Sequence, residues 1–206
     1  MKYSQISSDS NSTEVTLWFL GWGFCDSIAP YVKESGNVIL FWDYTDLSAD
    51  IDLGRWTSFR IKAWSMGVWA AEMFMLANPG LSVVHSSAYC GTPRPCDSLF
   101  GIGLDNVRLT VDNWSEVNAR KFARKIAIDA SLAQTVLNLM NVRSLDSQRA
   151  ELEAICAHQS ADAVPSLWSE AVISLRDRIF PVESQRRWWQ SHAKQVDERD
   201  IPHWPF

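Results

Sequence analysis

The first part of the chain alternates between short, continuously apolar segments and segments with helical spacing. Residues 15–20, 37–42, 59–64 and 81–88 are predicted strands, a helix is predicted over 68–76, and a shorter helix, with Asp26 or Ser27 as its cap, ends near Val32. Strands that are apolar along their whole length are typical of a parallel sheet covered on both faces. The polar, Ser-rich residues 1–13 carry no prediction of an element.

The pattern changes between about residues 95 and 165, where no strand is predicted. Helices are predicted over 114–129, 132–141 and 147–158, with Ser115 and Ser147 as candidate caps. Strand patterns return at 170–175 and near 193–196, separated by a helix from Pro181 to about Trp189. The sequence therefore predicts one α/β domain over 1–206, with a mostly parallel sheet and a helical cap, roughly 95–165, inserted before the penultimate strand.

One serine stands where a predicted strand meets a predicted helix. Ala63-Trp64-Ser65-Met66-Gly67 fits the small-x-Ser-x-Gly pattern of a nucleophile elbow. We expect the positions two before and two after Ser65 to lie almost in contact, which explains their small side chains. The alternative is an ordinary turn between a strand and a helix.

A serine hydroxyl needs a base, and the base needs an orienting acid. In a fold with this elbow the order along the chain is Ser, Asp, His. Asp177 follows the penultimate predicted strand and His203 the last one, so they are the candidates. Weaker rivals are Asp197, Asp200, His85, His158 and His192. Asp177 could instead pair with Arg176 or Arg178, and His203 could be a surface residue of a proline-rich tail.

Two backbone N–H groups are candidates for an oxyanion hole. The elbow directs the N–H of Met66 toward the place where an oxyanion forms. The second donor is expected from the loop after the first apolar strand, Gly21-Trp22-Gly23, where the Trp22 N–H is the candidate and its indole could wall the pocket. A glycine-rich turn with a packed Trp is the alternative.

Composition and charge narrow the class of protein and the cellular compartment in which it is expected. The 206 residues suit one domain, and a net charge of −5 argues against a general nucleic-acid binder. The four cysteines form no CxxC pair, so we expect free thiols in a reducing compartment. No secretory signal and no apolar segment long enough to span a membrane is recognised, so a cytoplasmic location is expected.

The assembled motifs resemble the BioG family of pimeloyl-acyl-carrier-protein methyl ester esterases, which have the α/β-hydrolase fold. The resemblance covers nearly the whole chain. It is carried by Leu20-Gly21-Trp22-Gly23, Asp43-Tyr44, the segment Ala63-Trp64-Ser65-Met66-Gly67-Val68-Trp69-Ala70-Ala71, Gly91-Thr92-Pro93, Asp177 with Pro181, and the terminal Pro202-His203-Trp204-Pro205-Phe206. Two departures are Ala63, where the general elbow has Gly, and the long Ser-rich start.

The resemblance implies a reaction and roles for these residues. Ser65 would be the nucleophile, His203 the base and Asp177 the acid, with the Trp22 and Met66 amides as the oxyanion hole. The reaction would hydrolyse the methyl ester of pimeloyl-acyl-carrier protein in biotin synthesis, through an acyl-enzyme and without a metal or organic cofactor. The implied partner is acyl carrier protein, and we expect a monomer that binds neither nucleic acid nor membrane.

A basic stripe on one predicted cap helix could dock an acidic carrier protein. Arg120, Lys121, Arg124 and Lys125 have spacings of one and four residues. The alternative is an ordinary solvated helix face. Among the apolar cap residues, Trp114, Phe122 and Leu139 could line an acyl channel or simply pack in the core.

Two other functions remain open from the sequence. One is a broad short-chain carboxylesterase or thioesterase that needs no carrier protein. The other is a hydrolase-fold binding protein that has lost catalysis, although intact candidates at Ser65, Asp177 and His203 argue against it.

Overall fold

A seven-stranded sheet forms the centre of the computed structural model, which describes residues 1–158 and 167–206. Its strands are β1 (Lys2–Ser7), β2 (Glu14–Phe19), β3 (Asn37–Trp42), β4 (Ser58–Trp64), β5 (Val83–Tyr89), β6 (Trp168–Ser174) and β7 (Ala193–Arg199). Their order across the sheet is β1-β3-β2-β4-β5-β6-β7. Every neighbouring pair is parallel except β1 and β3. The predicted α/β-hydrolase fold class, with its mostly parallel sheet, is confirmed.

Strand β1 was not predicted. It pairs antiparallel with β3, with Tyr3 opposite Phe41, and forms one edge of the sheet. Four of its six residues are polar and none is buried, so the apolar pattern that identifies buried strands is missing. Its backbone pairing with β3 therefore identifies it as a strand, although its own sequence pattern does not.

In the part of the chain that the structure describes, six α-helices accompany the sheet: α1 (Gly67–Ala77), α2 (Leu104–Asp112), α3 (Glu116–Ile126), α4 (Ala130–Met140), α5 (Leu145–Ala157) and α6 (Val182–His192). A 3-10 helix over Asp26–Tyr31 takes the place of the short helix predicted before Val32. Helices α2 to α5, called the helical insert below, lie between β5 and β6 in the chain. The predicted boundary of the cap near residue 165 falls outside the described residues.

The helical insert differs from its prediction in two details. Helix α2 was not predicted, because its nine residues are mostly polar and only Val107 is buried. Ser115 caps α3 as expected by accepting a hydrogen bond from the Asn118 N–H, whereas α5 is capped by Ser144 and not by Ser147. The insert thus begins earlier in regular structure than the sequence pattern indicated.

The core lies on both faces of the central strands. All six residues of β3 are buried. Phe19, Phe41 and Phe74 form a compact aromatic group that joins β2, β3 and α1, with ring centroids 4.7–5.4 Å apart. Burial on both faces explains why these strands are continuously apolar.

The expectation of four free thiols is wrong for two of the cysteines. Cys96, in the segment after β5, forms a disulfide with Cys156 near the end of α5, across 60 residues of sequence. Cys25 and Cys90 are free and buried. The pairing depends on how the insert folds back onto the sheet, which no local spacing of cysteines reveals. The cysteines therefore no longer support the expectation of a reducing compartment.

Candidate active site

Ser65 occupies a strained turn between β4 and α1. Its φ is 58°, in the left-handed region that a non-glycine residue rarely adopts. The Ser65 N–H donates to the Tyr89 carbonyl oxygen at 2.8 Å, and the Val68 N–H donates to the Ser65 carbonyl oxygen at 3.1 Å. The turn is thus held from β5 on one side and from α1 on the other. This is the strand–turn–helix context that a nucleophile elbow requires.

Close backbone packing explains the glycines around the elbow. A Cβ at Gly67 would lie 2.4 Å from the carbonyl oxygens of Phe19 and Leu20, and a Cβ at Gly91 would lie 2.4 Å from the carbonyl oxygen of Ser65. Gly67 is therefore required by its approach to β2. The expected near contact between Ala63 and Gly67 stays a prediction.

The imidazole of His203 lies between Ser65 and Asp177. Its Nε2 is 2.9 Å from the Ser65 Oγ, and its Nδ1 is 2.8 Å from the Asp177 Oδ2. His203 is 1% exposed and Ser65 5% exposed. Three residues from three separate sheet-edge loops therefore form a continuous, largely buried chain of hydrogen bonds.

Local donors fix the carboxylate of Asp177. Its Oδ1 accepts hydrogen bonds from the N–H groups of Ile179 and Phe180, at 2.9 and 2.8 Å. Its Oδ2 also accepts a hydrogen bond from the Gln185 Nε2 at 3.1 Å. Gln185 is a buried residue of α6 that the sequence reasoning missed, since nothing in its local pattern distinguishes it. With both oxygens held, the carboxylate keeps one orientation toward the imidazole.

The rival acids and bases have other partners. Asp197 pairs with Arg199 at 2.6 Å and Asp200 with Arg176 at 2.8 Å, both at the solvent-facing surface. The other three histidines contact Glu170, the Ala154 carbonyl oxygen and the Trp188 carbonyl oxygen; they are His85, His158 and His192. Of the candidates weighed from the sequence, the structure brings Asp177 and His203 to Ser65.

The two candidate oxyanion donors lie beside the serine. Trp22 and Met66 line the same cavity as Ser65 and His203. Within the described part of the chain, neither backbone N–H donates to a protein acceptor. The Trp22 indole is held in place, because its Nε1 donates to the Gln148 carbonyl oxygen at 2.6 Å and its ring packs 4.6 Å from that of Trp114. Both residues therefore lie at the cavity beside Ser65 with backbone N–H groups that no described protein acceptor uses.

The cavity above Ser65 has a volume of about 330 Å³ and is walled on one side by the helical insert. This volume is at the lower end of the usual range for small-molecule sites, about 300–1,000 Å³. Helices α2, α3 and α5 contribute Ile126, Phe122, Val107, Thr110, Asn106 and Leu152 to the lining. Of the three apolar residues considered for an acyl channel, Phe122 lines the cavity, whereas Trp114 packs behind Trp22 and Leu139 does not line it.

The four basic residues of α3 are all exposed, but they do not form one surface around the cavity. Lys125 lines the cavity, together with Arg178 from the loop after β6. Arg120 and Arg124 instead line a neighbouring groove between α3, α4 and the start of α5, and Arg120 lies 4.0 Å from Glu116. Arg178, considered above only as a partner of Asp177, is a cavity residue that the sequence reasoning missed.

Within the described residues, no group of three or more His, Cys, Asp or Glu side chains is placed to bind a metal ion. No helix in the described ranges has both the length and the apolar character needed to cross a bilayer.

Sequence comparison finds a family and close relatives. The family model described as "Pimeloyl-ACP methyl esterase BioG" matches residues 1–206. An uncharacterized protein of Haemophilus influenzae is 32% identical over 202 residues, which cover 96% of this chain and 92% of that protein. A malonyl-[acyl-carrier protein] O-methyltransferase of Bacteroides fragilis is 32% identical over 197 residues, 93% of this chain but 39% of that protein.

Structural comparison agrees. The crystal structure of BioG from Haemophilus influenzae has a TM-score of 0.85 and 31% identity, and the match covers 98% of this chain and 94% of that one. An esterase from Exiguobacterium antarcticum has a TM-score of 0.71 over 95% of this chain and 85% of its own, at 14% identity. The second likeness shows the shared α/β-hydrolase fold alone.

Proposed function

The chain belongs to the BioG family of pimeloyl-ACP methyl esterases, and from this premise we propose that Ser65, His203 and Asp177 are its nucleophile, base and acid. It is a carboxylic ester hydrolase that acts on the methyl ester of pimeloyl-acyl-carrier protein in biotin synthesis. The observation that carries the proposed roles is the continuous hydrogen-bonded chain from the Ser65 Oγ through His203 to Asp177.

The first half-reaction forms an acyl-enzyme. The Ser65 Oγ attacks the carbonyl carbon of the methyl ester while the His203 Nε2 takes its proton. The oxygen of the tetrahedral intermediate carries the negative charge and accepts hydrogen bonds from the N–H groups of Trp22 and Met66. His203 then returns the proton to the methoxy oxygen, the carbon–oxygen bond breaks, and methanol leaves.

The second half-reaction repeats these steps with water. His203 takes a proton from a water molecule whose oxygen attacks the acyl carbon, and the same two amides hold the second oxyanion. On collapse His203 gives the proton to the Ser65 Oγ, the bond from Oγ to the acyl carbon breaks, and the distal carboxylic acid is released on the carrier, where it ionises to the carboxylate. Asp177 accepts a hydrogen bond from the His203 Nδ1 throughout, so the Nε2 keeps the orientation needed for each transfer.

The helical insert serves as a cap over this chemistry. Its helices supply the apolar wall formed by Phe122, Val107 and Ile126, against which a straight acyl chain can lie. An apolar wall of this kind also excludes water from the acyl chain, while the ester group lies beside Ser65. We propose that the insert, together with the sheet, constitutes a single functional domain.

Basic residues around the cavity and on α3 are proposed to receive the carrier. Acyl carrier proteins are acidic, and Lys125 and Arg178 line the cavity on two different elements. Arg120, Lys121 and Arg124 extend this positive charge along the exposed face of α3, on a protein of net charge −5. Complementary charge of this type chiefly raises the association rate and orients the encounter.

Growth rescue of a biotin-requiring strain that lacks its own methyl esterase tests the proposed function. The unchanged protein should restore growth, and Ser65→Ala should not, because loss of the nucleophile lowers turnover by about 10⁵- to 10⁶-fold. Ser10→Ala, in the exposed Ser-rich segment, is a matched control that should rescue. Rescue by Ser65→Ala would overturn the assigned nucleophile.

A comparison of substrates tests the carrier dependence. The carrier-bound methyl ester should be hydrolysed with a much higher kcat/KM than simple nitrophenyl esters. Equal values would favour a broad short-chain esterase.

A further inference from the structure

Helix α5 contacts the loop that carries the Trp22 amide through a fully buried carboxylate. The Glu151 Oε2 accepts a hydrogen bond from the Gly23 N–H at 3.1 Å, and its Oε1 accepts one from the Tyr44 N–H at 3.0 Å. Glu151 is 0% exposed. A single side chain of the helical insert therefore holds the loops that follow β2 and β3.

Gln148, one turn earlier on α5, holds Gly23 at its carbonyl oxygen. Its Nε2 donates to the Gly23 carbonyl oxygen at 3.3 Å and to the Met140 carbonyl oxygen at 2.8 Å. The backbone carbonyl of Gln148 accepts the Trp22 indole N–H. Gly23 is thus bound at both its N–H and its C=O, and the Trp22 side chain is bound as well.

Arg143 completes the buried group. Its Nη1 donates to the Glu151 Oε2 at 2.5 Å and to the Phe24 carbonyl oxygen at 3.3 Å, and its Nη2 lies 3.4 Å from the Asp43 Oδ1. Burial raises the pKa of Glu151, whereas the charge of Arg143 and the two backbone N–H groups oppose that shift. Arg143 supplies the positive charge that a buried carboxylate requires.

We propose that Glu151 and Gln148 are positioning residues that hold the Gly21–Gly23 loop so that the Trp22 N–H faces the oxyanion. The inference rests on the oxyanion role proposed above for Trp22. A loop with glycine on both sides of Trp22 has wide conformational freedom, and Gly23 has a φ of 84° that few residues adopt. Preorganised donors stabilise a transition state better than donors that must reorient during the reaction. The contacts from α5 supply that preorganisation.

This role differs from simple attachment of the insert. A purely structural contact would affect the melting temperature and the fraction of folded enzyme, but not the turnover of each folded molecule. A positioning role lowers kcat per active site and weakens binding of compounds that place an oxyanion in the hole. Little change is expected in KM, because the bond to the oxyanion forms mainly in the transition state.

Glu151→Gln is the test, with Glu153→Gln as its matched control. The substitution keeps the shape of the side chain and replaces one acceptor oxygen by an NH₂ group. Glu153 lies on the same helix and is exposed, so its variant makes the same change of charge away from the loop. Turnover of a nitrophenyl ester is measured per active site, after titration of Ser65 with a serine-reactive phosphonate. The Ki of a trifluoromethyl ketone, whose adduct carries an oxyanion, is measured in parallel.

For Glu151→Gln we expect kcat per active site to fall by about 10- to 100-fold, since a small displacement of one oxyanion donor has an effect of this order. The Ki of the trifluoromethyl ketone should rise by a similar factor, and Glu153→Gln should match the unchanged protein. If Glu151→Gln fails to fold, Gln148→Met should give the same two changes. This variant removes the side-chain hydrogen bonds to Gly23 and Met140, and also the one that Gln148 Oε1 accepts from the Trp114 Nε1.

Two negative outcomes are distinguishable. A variant with unchanged kcat and Ki per active site, in a protein whose Ser65 is labelled by the phosphonate, overturns the positioning role and leaves the proposed function in place. Absence of labelling in the unchanged, folded protein overturns the proposed nucleophile itself.

Discussion

The indole Nε1 of Trp64 donates a 2.7 Å hydrogen bond to the backbone carbonyl oxygen of His203. Trp64 ends β4 and immediately precedes Ser65. The strand that positions the Ser65 hydroxyl therefore also holds the backbone of His203. The rings of Trp204 and Phe206 pack edge-on against Trp64, with centroids 5.5 and 5.4 Å away. The C-terminal segment has no regular structure, and the Trp64 side chain therefore holds it in place beside the elbow.

Replacement of Asp177 by Asn should nearly abolish activity. The amide introduced by Asp177→Asn could donate to the His203 Nδ1 and favour the wrong tautomer, and kcat should fall by about 10⁴-fold, as in other triads of this type. Asp200→Asn, which changes a rival carboxylate at the exposed surface, is the control and should retain activity. Turnover of a nitrophenyl ester and the melting temperature decide the result. Equal losses in the two variants would contradict the assignment.

Reversal of charge on α3 should act through the carrier. We expect the double variant Arg120→Glu/Arg124→Glu to lower kcat/KM for the carrier-bound methyl ester by about 10-fold or more, and to affect a nitrophenyl ester much less. Added salt should narrow the difference between the unchanged and variant proteins, because screening weakens long-range attraction. Lys33→Glu, which reverses one charge at another exposed position, is the control and is compared with Arg120→Glu alone as well as with the double variant. An unchanged ratio of the two activities would exclude docking on α3.

Loss of the disulfide should lower stability. The bond between Cys96 and Cys156 closes a loop of 60 residues, and a loop of this size corresponds to about 4 kcal/mol of free energy of unfolding in the chain-entropy description. Cys156→Ser should therefore melt at a lower temperature than the unchanged oxidised protein. Treatment with dithiothreitol should bring the unchanged protein to the same value and leave the variant unaltered. A melting temperature insensitive to reduction would show that the bond contributes no stability.

A buried carboxyl on α1 should make stability depend on pH. Burial raises the pKa of Glu72 to about 6, and the hydrogen bond from Trp168 and the charge of Arg94 oppose only part of this shift. The folded state therefore binds the proton more tightly than the unfolded state. The contribution of Glu72 to the free energy of unfolding is fully present below pH 4.5 and is lost as the pH rises through about 6. The free energy of unfolding should fall by about 2 kcal/mol over this range.

Glu72→Gln tests this dependence. The amide oxygen can still accept the hydrogen bond from the Trp168 Nε1, but the side chain no longer titrates. The free energy of unfolding is measured with denaturant at about pH 4.5, 6 and 7.5, values chosen to bracket the shift. As the pH rises, this free energy should decline less for the variant than for the unchanged protein. Parallel curves for the two proteins would contradict the raised pKa.

Agreement between sequence and structure is closest where a short segment contains the whole signal. Strand β3 is apolar throughout because both its faces are buried, and Ser115 caps α3 through a bond within one turn. Sequence and structure disagree where an element buries few apolar residues and its pattern of apolar positions is weak. Strand β1 lies at a solvated edge and α2 buries one residue, so neither shows the expected periodicity.

The order of Ser65, Asp177 and His203 and their places at the ends of strands were determined by the sequence alone, because parallel strands present their carboxyl ends at one edge of a sheet. Only the tertiary structure decided which more distant side chains support them. The contact of Glu151 with Gly23 joins residues 128 positions apart, and the Cys96–Cys156 bond and the exposed lining residue Arg178 likewise depend on how helices pack. Local pattern records which face of an element is buried, but it carries no information on which distant residue that face meets.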